Sequence, residues 1–414
     1  MQLFLLGLQH LFTMFGATVV VPILTGIPVS VALFTSGVGT LFFHLLTKGK
    51  VPVYLGSSFA FISPIIAVTS YYAGREDALA YALGGVVVSG IVYVIFSAII
   101  RYLGPDRITK IFPPVVTGTM ISLTGLILSP VAVNWASKNW VLAIVVIATI
   151  IYVKLYTRGF ISMLPILIGI AVGYVVSLFF GVPEYRFDQW FSFPLFSLPK
   201  FSLYAIGIVV PAAIAPALEH IGDIYAVSMV TNKPFVKDPG LHRTILADGL
   251  ATSLAALIGG PANTTYSENT GVLALTRQFN PWVMRIAAIL AILLSFIDPL
   301  TRFIQTAIPE PVMGGACIVL FGMIATTGLR VLVENKVAFT SKNMLIMSIM
   351  LLCGIGGANL SVGSFSLQGL GLAGVIGIVL NAILKETELK HSAENTSLIL
   401  TTKSKEEEYN DRSS

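Results

Sequence analysis

The chain has 414 residues, of which 25 are basic and 20 acidic, against 55% hydrophobic residues and a mean hydropathy of +0.87. A soluble domain carries charge on about a quarter of its residues, so a water-exposed globule is excluded. Eleven of the charges fall in 386–414, and the remaining 385 residues are apolar enough to be a polytopic membrane protein with no room for a soluble catalytic domain.

Residues 1–24 are apolar, but they lack a basic start and a small-residue cleavage site, and Gln9 and His10 sit mid-run. They read as a first membrane helix, not a signal peptide. Punctuation by Gly, Pro and charge then marks apolar stretches at 3–24, 29–47, 51–70, 78–100, 113–135, 139–157, 160–181, 202–230, 241–260, 264–279, 282–298, 311–333, 341–358 and 369–385. This predicts an all-α membrane protein of fourteen spans. The stretches 51–70 and 264–279 open on β-prone or polar patches, so each is predicted to be a broken span with a short extended segment. Broken spans are where carriers keep their ligands. The polar segment 386–414 is expected to be disordered and cytoplasmic.

Basic residues orient the spans. With the N-terminus inside, fifteen of them, Lys154 and Arg330 included, fall on the inner side and five (Arg75, Lys138, Arg186, Lys200, Arg302) outside. Both termini are then cytoplasmic. The basic residues are scattered singly, which excludes nucleic-acid binding. Cys317 and Cys353 sit in apolar runs without metal-ligand neighbours and read as buried small hydrophobes; no metal or catalytic constellation is expected.

An internal repeat is also visible. Gln9-His10 in the first span matches Glu219-His220 in the eighth, and Gln9 to Ser57 is 48 residues, as is Glu219 to Ser267. Each unit has seven spans, an odd number, so the second copy lies inverted, as in secondary carriers.

Most acidic residues of the body lie in loops. Glu219, Asp223 and Glu268 instead lie within spans eight and ten, where a carboxylate needs a polar cavity or a partner. Glu219 and Asp223 are four apart, on one helical face, and two like charges in a dry site favour sharing a proton. That is proton-coupling chemistry in outline. The tenth span opens with Asn263-Thr-Thr-Tyr266-Ser267 and turns helical at Glu268, while the third offers Gly56-Ser57-Ser58-Phe59. Two half-helices meeting from opposite directions make a small polar pocket with Phe59 and Tyr266 as ring-stacking surfaces. A planar heterocycle with adjacent N–H and C=O groups fits that lining. His10 is either a helix–helix hydrogen-bond partner or a proton carrier. Asp248, Asp298 and Glu310 read as caps or interface pairs.

Glu268-Asn269-Thr-Gly271-Val-Leu-Ala-Leu-Thr276-Arg277 resembles the signature Glu/Gln/Pro-Asn-x-Gly-x4-Thr-Arg/Lys/Gly of the nucleobase–ascorbate transporter (nucleobase–cation symporter-2) family. Tyr54-Leu-Gly-Ser-Ser-Phe59, Glu219-His220-Ile-Gly, Pro239-Gly-Leu-His-Arg243 and Gly260-Pro-Ala-Asn-Thr-Thr-Tyr266 are similar to its bacterial uracil permease branch, so the resemblance covers nearly the whole body. It implies a 7+7 inverted repeat divided into a core domain (1–104 and 201–299) and a gate domain (105–200 and 300–385). It also implies uracil symport with protons across the bacterial inner membrane, without a cofactor, and a homodimer through the gate domain. On that analogy Glu219 and Glu268 accept hydrogen bonds from uracil N–H groups, Phe59 packs on the ring, and backbone amides near Ser58 and Ser267 meet its carbonyls.

The chain departs from the family pattern in three places. Asp223 stands where some uracil carriers have His, Ser267 replaces a frequent Gly, and the chain starts almost at span one, where relatives have a longer polar leader, so further N-terminal residues are expected. The alternatives are a xanthine or purine symporter of the same family and, on the same fold, an anion carrier, which would want a basic or neutral site. A membrane enzyme on a lipid-linked substrate has no nucleophile–base motif here to support it.

Overall fold

A bilayer core offers no water to backbone N–H and C=O groups, so long apolar stretches satisfy them internally as helices. The computed structural model describes residues 2–104, 110–181, 185–187, 189–362 and 365–384, without the side chains of 362 and 365. The expected tail 386–414 lies outside the described residues.

The elements are α1 (Gln2–Thr25), α2 (Val29–Leu46), β1 (Leu55–Ser57), a 3-10 turn (Phe59–Phe61) running into α3 (Ile62–Tyr71), α4 (Ala78–Leu103), α5 (Pro114–Ile127), α6 (Ser129–Ser137), α7 (Trp140–Tyr156), α8 (Pro165–Ser177), α9 (Leu203–Val209), α10 (Ile214–Thr231), α11 (Leu241–Leu257), β2 (Asn263–Thr265), α12 (Ser267–Thr276), α13 (Trp282–Ser295), α14 (Asp298–Arg302), α15 (Glu310–Glu334), α16 (Ser341–Ile355), β3 (Asn359–Val362), β4 (Phe365–Gln368) and α17 (Gly369–Ile383). The protein is all-α with little sheet, a multi-pass membrane fold. Among the described residues, six helical runs are long and apolar enough to cross a bilayer: Gln2–Thr25, Val29–Leu46, Ala78–Leu103, Pro114–Ser137, Leu203–Thr231 and Glu310–Glu334. Six shorter apolar helices have 10–17 residues.

Three stretches differ from the reading of the sequence. The run 113–135 divides into α5 and α6, because Pro130 has no N–H to continue the helix across Leu128. The run 202–230 tightens to a 3-10 turn at Val210–Ala213, around Pro211, between α9 and α10. The connector after α16 is an antiparallel hairpin, β3 with β4, tied by Ser366 Oγ to Asn359 Oδ1 at 2.7 Å.

Helix packing comes in couples. α2 packs on α13 and α4 on α11; α7 packs on α8 and α16 on α17; α5 packs on α15 across the middle. Small residues allow the closest of these approaches: a Cβ on Gly90 of α4 would meet the Gly249 carbonyl of α11 at 2.9 Å. Ser253 Oγ donates to Val87 O (2.8 Å) and Ser97 Oγ to His242 O (2.7 Å) across the same seam.

Residues 189–202, leading into α9, run without helix and are tied down by backbone bonds, Ser192 N to Phe296 O (3.0 Å) and Lys200 N to Ala80 O (2.9 Å). Just before α4, Asp77 accepts from Arg75 Nε and Lys200 Nζ, both at 2.8 Å. Arg75 first, then Lys200, hold its carboxyl well below the usual carboxylate range. A depressed folded pKa adds stability above the unfolded value, near 4, and loses it as pH falls through the folded value. Asp77→Asn is therefore expected to lower the melting temperature slightly at pH 7, with the gap to wild type narrowing below about pH 4. A gap of equal size at pH 7 and pH 3 would refute the clamp.

The acids read as caps or interface pairs are found in pairs. Asp298 Oδ2 lies 2.8 Å from Arg302 Nε, and Glu310 meets Lys138. Asp248 Oδ2 lies 3.3 Å from His220 Nδ1, in ion-pair range though outside hydrogen-bond geometry, with both side chains fully buried.

Candidate functional site

The two broken spans meet. β1 and β2 pair antiparallel with Leu55 opposite Thr265, Gly56 opposite Thr264 and Ser57 opposite Asn263. Ser58 N donates to Ala262 O at 2.8 Å and Tyr266 N to Tyr54 O at 3.2 Å. A two-stranded ladder leaves edges that hydrocarbon cannot satisfy, and neighbouring helices supply hydroxyls. Thr40 Oγ1 of α2 accepts from Leu55 N (2.9 Å), and Thr252 Oγ1 of α11 donates to Asn263 O (2.7 Å). Tyr266 bolts the crossing, its hydroxyl donating to Ser57 O at 2.8 Å.

Beyond the ladder each chain turns helical, at Phe59 and at Ser267, so two helix N-termini approach a common cavity of about 420 Å³. Phe59, Tyr266, Ser267, Glu268 and Glu219 form one side. Lys154 of α7, Ile121 and Thr124 of α5, and Leu320 to Arg330 of α15 form the other. Glu268 and Ser267 are open to this cavity, and Glu219 is half-buried in its wall. The Phe59 ring meets Phe321 edge-on, centroids 6.1 Å apart.

Other predicted residues stand back from the wall. Ser58 is 1% exposed and its N–H is already taken by Ala262, so that amide is not free for a ligand. Asp223 is 8% exposed and its Oδ2 accepts from Thr265 Oγ1 at 2.6 Å, tying α10 to β2. His10 is fully buried, and neither ring nitrogen has a hydrogen-bond partner among the described residues.

Lys154, Arg330, Met323 and Thr270 on the wall escaped the reading of the sequence, which placed both cations on inner loops. Lys154 in the last turn of an otherwise apolar run, 139–157, was the available signal.

Residues 1–363 match the model of the Permease family (Xan_ur_permease). The chain is 43% identical over 402 residues to the "Probable uracil permease" of Pasteurella multocida, covering 94% of this chain and 95% of that protein. It is 43% identical over 407 residues to the "Uracil permease" of Bacillus subtilis (92% of each) and 39% over 395 residues to that of Escherichia coli K12 (92% and 90%). These relatives are permeases, which move solutes and are not enzymes. Among solved structures, the transmembrane domain of the cyanobacterial bicarbonate transporter BicA superposes with a TM-score of 0.63 at 14% identity, covering 92% of this chain and 97% of that one. SLC26A9 gives 0.69 at 12%, covering 92% and 64%. At such identities the likeness is one of fold alone. With the family match across most of its length and the uracil permeases at about 40% identity beside it, the chain belongs to the nucleobase–ascorbate transporter family of permeases.

Proposed function

We propose that the protein carries uracil across the bacterial inner membrane in symport with protons, by alternating access. The observation that carries this reading is the convergence of Glu219 and Glu268, from α10 and the broken tenth span, on one cavity that also holds the Phe59 ring. Its volume falls within the range of small-molecule sites, roughly 300–1,000 Å³. The two carboxylates suit the ring N–H groups as acceptors, and the amides opening α12 at Ser267 suit a carbonyl. The relatives named uracil permeases favour uracil over xanthine or another purine as the base.

Glu219 and Glu268, both reaching the cavity, are the coupling pair in this reading; Asp223, bonded to Thr265 behind β2, acts on them at one remove, and His10 takes a structural place. The cavity lies between a core (1–104 and 201–299) and a gate (105–200 and 300–385), a division supported by the coupled helix packing. Fourteen crossings with both termini cytoplasmic, and a homodimer through the gate, complete the proposal.

Labelled uracil uptake into proteoliposomes tests it. An inward proton gradient is expected to raise the initial rate by about tenfold, with unlabelled xanthine competing poorly. Uptake indifferent to the gradient removes the coupling, and stronger competition by xanthine than by uracil moves the substrate to the purines.

A further inference from the structure

We infer that the protein has a second, inner chamber for the same planar base, reached from the first through a neck of Glu268, Lys154 and Met323. This rests on the uracil-carrier reading above and deepens it.

A separate cavity of about 450 Å³ lies on the far side of Glu268. Its walls are Phe12 and Thr13 of α1, Gly271 and Ala274 of α12, and the stretch from Ser162 into α8. Among the described residues it shares with the first cavity Glu268, Lys154 and Met323 and no other lining residue. Those three come from α12, α7 and α15. The neck therefore spans the junction between the two proposed domains, beside Lys154 in the last turn of α7, and the chamber beyond it follows α12 from Glu268 in its first turn to Leu275, towards the end that carries Arg277.

The chemistry of the neck matches the edge of a lactam. A uracil ring places N–H beside C=O; the Glu268 carboxylate accepts from the first, and the Lys154 ammonium, with three donors, gives to the second. Inside the chamber the hydroxyls of Thr13 and Ser162 already donate, to Gln9 O (2.9 Å) and Gly159 O (2.8 Å), which leaves them as acceptors. Phe12 offers a ring face. Gly271, one turn beyond Glu268 on the same helical face, has no atom from outside its own helix within 4 Å of where a Cβ would stand. The chamber is open at that point because the side chain is absent. A base leaving the first pocket inwards keeps its N–H on Glu268 while its carbonyl passes to Lys154, so release proceeds in two steps.

The test separates affinity from rate. Phe12→Ala and Gly271→Leu alter the inner chamber alone, and Lys154→Met alters the neck. Equilibrium binding of labelled uracil to each purified protein is expected to stay within about twofold of wild type for Phe12→Ala and Gly271→Leu, which also shows that they fold. Uptake into proteoliposomes is expected to fall about tenfold for all three, with Lys154→Arg recovering part of the loss. Combining Gly271→Leu with Lys154→Met should be no slower than the slower single variant, because both act on one step. Uptake at wild-type rates in Phe12→Ala and Gly271→Leu, or a loss of uracil affinity in step with their uptake, overturns the second chamber. Failure of the wild type to bind uracil instead overturns the reading beneath it.

Discussion

Glu268→Gln is expected to lower uracil uptake by about a hundredfold and to abolish its stimulation by an inward proton gradient. Glu268 stands in the first turn of α12, open to the cavity, where the helix N-terminus favours a negative charge. A hydrogen bond to a charged group contributes about 1.5–3 kcal/mol, which alone is roughly tenfold to a hundredfold in affinity. Gln keeps the shape but offers an NH2 beside the oxygen, so a ring N–H meets a donor half the time unless the amide is held. It also cannot take up or release a proton, which removes any coupling that passes through this position. The two losses are read separately: equilibrium binding reports the first, and the ratio of uptake with and without the gradient reports the second. Uptake within about tenfold of wild type, still driven by the gradient, would remove Glu268 from the coupling pair.

The parts of this site that were legible in the sequence are those set by local chemistry. Apolar length marks a helix, and the polar patches at Tyr54–Phe59 and Asn263–Ser267 interrupt that length, so both broken spans were visible with their extended segments. The spacing of Glu219 and Glu268 relative to those breaks placed both acids near the pocket. What the chain order does not carry is how the pieces rotate against one another. Glu219 and Asp223 share a face only approximately: four residues advance about 400° around a helix, leaving them some 40° apart. That offset turns Asp223 behind β2, onto Thr265, while Glu219 reaches the cavity. The pairing of Ser58 N–H with Ala262 joins residues about two hundred positions apart and leaves no local trace. Lys154 was assigned to a loop by the same rule that orients the helices, because a single cation at the end of an apolar run looks alike whether it faces lipid headgroups or a cavity mouth. The hairpin β3–β4 fell in a connector too short for a span, where periodicity has little to act on.

Gly56→Ala is expected to abolish uptake and to lower stability by about 1–3 kcal/mol, the usual range for forcing extra volume into a packed site. Gly56 is in β1 with an ordinary backbone, so the requirement is for space, not for a left-handed conformation. A Cβ there would lie 2.5 Å from the Tyr266 ring and 2.8 Å from Thr18 Oγ1, against ordinary contact at 3.4 Å or more. The ring cannot swing aside cheaply: it is 6% exposed, and its hydroxyl is bonded to Ser57 O at 2.8 Å on the strand that Gly56 belongs to. Moving Tyr266 therefore pulls on Ser57, and with it on the start of both half-helices that border the cavity. The geometry of the site and the packing of the crossing fail together. A double-mutant cycle isolates the contact: in a Tyr266→Ala background the ring is gone, and adding Gly56→Ala is expected to lower the melting temperature little further. If Gly56→Ala alone leaves the melting temperature and uracil affinity of the purified protein unchanged, the tyrosine bolt does not set the spacing between the two broken spans.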